Sequence, residues 1–408
     1  MKMLGILAVL GAVMSGVTLV APTTVVAFEG YGNISTGGAG GDVYHVTSLA
    51  DSGAGTLRNG VTNRTGPRTI VFDVGGDIVL TSTLTVNRPF LTIDGASAPA
   101  PGITIRQNTI FDQFIISGTH DVIVTHLRFW GKYVAGGATD QNNAATLIID
   151  GDSGPDQVAQ RIVLDHITGR GAEDGGPDIW GEVRDVTLSW SFIFLNNHPT
   201  TISHYPAPYQ IRQRISMHHN VYAKNTERNP QIRADVRDLD FVNNIVYDWG
   251  FFAAGSGYGV RIRNEPGEPK VNLNFVNNAL VPKSGSACWG LVYGSQPGAD
   301  STDNGPSGSP AQGTVVTTTS LGKLWVSGNL LPSCNMDQYS TISAPLTVPA
   351  AAQVTTFPAN QLGAQVLPTV GWKYRTAEEQ ALLDEIRAAL PSSSSGVPPA
   401  APTGLTVQ

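Results

Sequence analysis

The chain has 408 residues, a formal net charge of −7, 46 glycines, 26 prolines and two cysteines. The acidic balance argues against nucleic acid, whose phosphates need a positive field, and the glycine and proline content favours many turns over long helices. The length suits one large all-β domain or two ordinary ones.

Residues 1–27 read as a cleaved secretory signal: Lys2 precedes an apolar run from Leu4 to about Val20, and a small-residue site ends at Ala27. The alternative, a membrane anchor, meets a run interrupted by Ser15 and Thr18 and shorter than the roughly 20 apolar residues that span a bilayer. Secretion predicts an oxidising compartment, where Cys288 and Cys334 would pair rather than hold zinc. That bridge would contribute about 4 kcal/mol by loop-closure entropy.

Next comes "SLADSGAGTLRNGVTN", a Gly-rich turn and a short amphipathic segment suited to capping the open end of a solenoid. A nine-residue phrase with apolar second and fourth positions then recurs as "DVIVTHLRF" at 121, "RIVLDHITG" at 161, "DVTLSWSFI" at 185, "RISMHHNVY" at 214, "DLDFVNNIV" at 238, "NLNFVNNAL" at 272 and "KLWVSGNLL" at 323. Period-2 alternation rich in β-branched and aromatic residues means strands. Asn220, Asn244, Asn278 and Asn329 fill the seventh position of the last four, and "GITIRQNTI" at 102 offers Asn108 in the same place.

The intervals run from 24 to about 50 residues, as expected of stacked strand units with loops of variable length. A parallel β-helix accounts for this, with a repeated turn Asn forming an amide ladder. A β-propeller would need a more constant period; an antiparallel sandwich is the other alternative. After the coils, "TAEEQALLDEIRAAL" has Thr376 and Glu379 in capping-box spacing, with Leu382, Ile386 and Leu390 on one face, and predicts the only long helix. Residues 391–402 form a Ser/Pro-rich linker, and residues 403–408 resemble the start of a fibronectin type III module; a disordered tail fits equally well. The main domain therefore runs over residues 28–390.

Two constellations could carry chemistry. Between Arg212 and Arg237 the chain is locally basic, a groove suited to a polyanion other than DNA; within it, "RNPQIR" sets Arg228 and Arg233 around Pro230, whose turn can bring both guanidiniums to one surface and clamp carboxylates. His218 and His219, just upstream, are expected to stack within the coil. In "AEDGGPDIW", Asp174 and Asp178 stand four apart in a strand-like segment. They suit a hard cation such as Ca²⁺, the acid and base of a glycosidase, or a solvated loop.

The run "DHITGRGAEDGGPDIWGEVRDVTLSWSFIF", followed by "HHNVYAKNTERNPQIR" and "DFVNNIVYDWG", resembles the pectate lyases of polysaccharide lyase family 1 in order and spacing, over about Phe28 to Pro282 and Gln365 to Leu390. The resemblance implies a right-handed parallel β-helix, the pectin-lyase-like solenoid, that cleaves α-1,4-linked polygalacturonate by β-elimination with Ca²⁺. By position, Arg228 matches the arginine that takes the C5 proton, Arg233 the one that binds the substrate carboxylate, and Asp174 and Asp178 two Ca²⁺ ligands. A guanidinium pKa above about 12 makes arginine a weak base, so an alkaline optimum is expected.

The sequence departs from the family pattern at two points. Where a further Asp ligand is usual, Ala144 and Ala145 stand, with Asp140, Asn142 or Asn143 as substitutes. Thr200 replaces the substrate-binding lysine, leaving His198, Thr200 and Lys224 as candidate substrate contacts. The expected protein is a secreted monomer with an acidic polysaccharide as substrate and no membrane or nucleic-acid partner. Two other readings are a hydrolase using Asp174 with Asp178 or Asp165, and a non-catalytic glycan-binding β-helix.

Overall fold

The computed structural model describes residues 28–132, 144–151, 157–202, 212–233, 236–250, 258–262, 270–282, 291–293, 322–331 and 340–391. The signal segment, Asp140, Asn142, Asn143, the cysteines, the linker and the fibronectin-like ending lie outside them. No helix among the described residues is long and apolar enough to cross a membrane.

Among the described residues all strand pairing is parallel and falls into three sheets of ten, eight and eight strands, in which, after the opening pair of Asp42–Val46 with Arg68–Phe72, each strand pairs with the third strand before and after it in sequence. One coil therefore passes through all three faces, as in Leu91–Asp94 of the first sheet, Ile103–Gln107 of the second and Phe114–Ser117 of the third, before His120–Thr125 returns to the first. This is the parallel β-helix expected from the repeats.

Each nine-residue phrase is a strand of the first sheet, a tight turn and the start of a second-sheet strand, as in Ala159–Asp165 and Thr168–Arg170. Positions two and four point inward: Ile162, Leu164, Val186, Leu188, Leu239 and Phe241 all lie in one buried cluster. The sixth position takes a positive φ at His126, His166, Trp190, His219, Asn243 and Asn277. Such a left-handed residue lets the chain turn sharply between faces, at a cost the neighbouring contacts must offset.

Those contacts are the amide ladder. Asn220 Nδ2 donates to Asn244 Oδ1 at 3.0 Å, Asn244 Nδ2 to Asn278 Oδ1 at 3.2 Å and Asn278 Nδ2 to Asn329 Oδ1 at 2.9 Å, each acceptor also serving a backbone N–H one coil away. Asn108 is not a rung. Its phrase is a second-sheet strand, Ile103–Gln107, and the residue is exposed at that strand's end.

Two helices and an arm cover the coils. The short helix Leu57–Thr62 buries Leu57 and Val61 in the core at the N-terminal end, as expected of a cap. Ahead of it, the arm at Tyr31 and Gly32 lies across the first sheet, its N–H groups donating to Ser216 and Thr187; a Cβ on Gly32 would come within 2.4 Å of the Ile162 carbonyl. The C-terminal helix, Ala377–Ala389, has the expected capping box and packs Leu382, Leu383 and Ile386 against Phe192, Phe194 and Val221. Glu379 of that box also pairs with buried Arg128 at 3.1 Å.

Candidate functional site

The turns from the second sheet to the third stack in register but differ in sequence. Asn197 N–H donates to Ala172, His198 to Glu173, Thr226 to Asn196 and Glu227 to Asn197, so residues 172–174, 196–198 and 225–228 rise one above another. Beneath them Asn225 Oδ1 accepts from Asn196 Nδ2 and Asn225 Nδ2 donates to Asn229 Oδ1, at 3.0 and 2.8 Å. The buried amides hold the turns, and the stacked backbones aim a mixed set of charged side chains at one place.

There Arg228, at φ 61°, donates from Nη1 to Asp174 Oδ1 at 2.8 Å. His198 bridges the acids, with Nδ1 3.5 Å from Asp174 and Nε2 3.2 Å from Glu227. Burial pushes His198 down, but the bonds to Asp174 and Glu227 prevail and its pKa is raised above the ordinary imidazole value. Glu227, buried beside Arg228, was not singled out from the sequence; its only signal is an acid directly before the arginine.

Asp178 opens the third-sheet strand Asp178–Gly181 and is wholly buried, taking the Thr201 N–H on one oxygen and the Trp180 indole at 3.1 Å on the other. Burial, and after it the charge of Asp174, raise its carboxyl well above the usual range, with Arg228 opposing them. Asp174, Asp178 and Arg228 thus share one electrostatic environment, as the motif spacing predicts. A buried carboxyl with an excess of negative charge beside it, next to a second carboxylate, is a hard oxygen donor set, and it fits a cation such as Ca²⁺.

Ala144 and Ala145, in place of the Asp the family pattern implies, lie directly beneath the turn of Asp174. Ala144's carbonyl accepts from the N–H groups of Glu173 and Asp174, and neither alanine brings a ligand side chain. Arg233 follows the strand Gln231–Ile232, with Ile232 inward. By strand alternation and the register through Thr201, its side chain leaves on the same outer face as Asp178.

Two expected substrate contacts need correction. Thr200 is wholly buried, its backbone spent on Arg228 and Gln231, so its side chain does not present to a ligand. Lys224 lies at the turn after Val221–Ala223, where its ammonium pairs with Glu385 of the C-terminal helix at 2.8 Å. Asp165, offered as a hydrolase partner of Asp174, lies on the other turn, bonded to Ser189 and His166. His219 stacks on Trp190 at 4.3 Å, as expected.

No protein-family model matches the chain. It is 33% identical over 280 residues to a probable pectate lyase C of Aspergillus flavus, covering 67% of this chain and 58% of that protein. It is also 33% identical over 246 residues to a probable pectate lyase C of Emericella nidulans, covering 58% and 50%. The chain thus spans about half the length of the curated relatives it matches. Among solved structures, jun a 1, the major allergen from cedar pollen, superposes with a TM-score of 0.62 at 16% identity, covering 85% of this chain and 92% of that one. A pectate lyase bound to a hexasaccharide superposes at 0.53 with 14% identity, covering 85% and 97%. At such identities these two speak to the fold alone. The chain is therefore related in sequence to proteins named pectate lyase and carries the parallel β-helix of solved pectate lyases, as its motifs imply.

Proposed function

We propose that the chain is a secreted, monomeric polysaccharide lyase that cleaves polygalacturonate by Ca²⁺-assisted β-elimination to unsaturated oligogalacturonides. The observation that carries this reading is the convergence of Asp174, Asp178, His198, Glu227 and Arg228 on one stack of turns, with Arg233 on the adjoining outer face. The names of the sequence relatives support it.

In this reading Asp174 and Asp178 hold the cation, whose bound charge would neutralise a uronate carboxylate and so acidify the neighbouring C–H. Arg233 adds a fork of donors to the same carboxylate. Arg228 takes the C5 proton; the C4–O bond then breaks, a C4=C5 double bond forms, and the departing oxygen gains a proton. Because Arg228 must be unprotonated to act, the rate climbs into the alkaline range. His198 and Glu227 orient Asp174 and Arg228. A hydrolase is the weaker reading, since Asp165 lies on the other turn stack, bonded to Ser189 and His166.

The test is incubation with polygalacturonate, with Ca²⁺ or with chelator, read by ultraviolet absorbance. A growing chromophore that chelator abolishes is expected. Reducing ends without the chromophore would mean a hydrolase, and neither product would mean a binding protein; either result overturns the proposal.

A further inference from the structure

We infer that the chain carries a second metal site, for a transition-metal dication of the Zn²⁺ class, built from His126, His166 and Asp165 on the turn opposite the candidate active site. His126 and His166 occupy the same position in successive coils, and their rings stack with centroids 4.6 Å apart and planes within 5°. Each of the three residues offers a ligand atom, and these atoms all lie within 4.8 Å of one another. Two imidazoles and a carboxylate are borderline donors that suit zinc, copper or nickel better than calcium.

Two further observations point to a ligand there. The Nδ1 atom of His126 is enclosed by protein and has no hydrogen-bond partner among the described residues, so one ring nitrogen of a cluster residue is left unanswered. The two rings also line a cavity of about 580 Å³, walled by residues such as Thr369, Gly371 and Gln380, which gives a metal room for water on its open side. Nearby cations oppose a metal, but they are engaged: Lys373 binds the Ala96 carbonyl and lies over Trp372 and Tyr374, while Arg375 caps the carbonyls of Leu367, Pro368 and Val370.

The site is anchored from behind. Asp165 takes the Ser189 hydroxyl on one oxygen at 2.6 Å and the His166 Nδ1–H on the other at 2.5 Å. A metal ligated through that edge replaces the His166 proton, which leaves to solvent, so binding releases a proton. A second cluster, Glu29 with His218 and His219, is a poorer candidate. There the two Nδ1 atoms already share a hydrogen bond at 2.9 Å, and the rings are 1% and 0% exposed.

Isothermal titration of the untagged full chain with ZnCl₂, in a non-chelating buffer with Ca²⁺ present, tests the inference. One equivalent is expected to bind, with proton release seen as a buffer-dependent heat. His126→Phe keeps an aromatic ring in the stack but removes both nitrogens, and should weaken binding at least tenfold, as should His166→Phe; His219→Phe should leave it unchanged. Thermal melts of the metal-free variants show whether each is folded, and Co²⁺ absorption provides a second readout on any that is less stable. No binding, or binding that survives both His126→Phe and His166→Phe, overturns the proposal.

Discussion

The two turn stacks of this solenoid are built from the same backbone device and put to opposite uses. Where the first sheet gives way to the second, like residues recur in runs: an imidazole or indole at the outer position from His126 to His219, and an amide at the inner one from Asn220 to Asn329. Where the second gives way to the third, the amides continue underneath but no two outer residues repeat, and Asp174, His198 and Arg228 meet instead. Repetition lets like neighbours support one another and yields stability; heterogeneity brings unlike charges together, and yields chemistry.

The comparison breaks most visibly if a change in the heterogeneous stack fails to separate activity from stability. Arg228→Lys should lower the lyase rate by about a thousandfold, the scale of a lost general base, while the thermal midpoint stays within a few degrees. A comparable fall in the midpoint would make Arg228 structural. Asn244→Ala is the mirror experiment. It removes an acceptor that serves two N–H groups of Asn220, and a donor to Met217 and Asn278. Denaturant titration should show a loss of about 3 kcal/mol, with the rate per folded molecule unchanged.

Acid should act on the ladder side. Burial, then the neighbouring His218, lowers His219 to about 2, so as pH falls below the ordinary imidazole value the unfolded chain takes up a proton that the folded chain refuses. Stability is fully present above about pH 6.5 and drains away as pH falls toward 2, by about 2 kcal/mol at pH 5 from this one residue. His219→Phe should flatten that part of the pH–stability curve; an unchanged slope would show that the ring is not held neutral. The smallest effect belongs to Lys224→Ala. Its ion pair with Glu385 is partly exposed, so the stability change should stay under about 1 kcal/mol, and an unchanged KM for polygalacturonate would support its removal from the substrate contacts.

Much of this was legible in the sequence because a solenoid writes its periodicity locally. The alternating phrases, the Asn at the seventh position and the Thr376–Glu379 cap each depend on neighbours a few residues away. Asn108 was misplaced because a second-sheet strand can carry the same alternation as a first-sheet one, and nothing local says which face follows. Thr200 and Lys224 failed for a related reason: motif position says where a residue falls in a coil, but burial and the distant Glu385 decide what its side chain meets. Glu227 escaped because its role exists only through His198, a full coil earlier in the sequence. Asp174, Asp178 and Arg228 were readable, since the phrases that carry them match the family motifs in order and spacing, although the coil of His198 lies between them.

The way the helix Ala377–Ala389 is used has a consequence for biogenesis. Phe192, Phe194, Val221 and Ile245 are covered by Leu362, Val366, Leu383 and Ile386, and Arg128 waits for Glu379, 251 residues later. Coils can stack as they emerge, yet this apolar flank and the buried cation stay uncovered until the helix Ala377–Ala389 has been made. A chain interrupted before that helix would expose the flank and aggregate more readily, so the helix acts as a seal laid over coils that were built long before it.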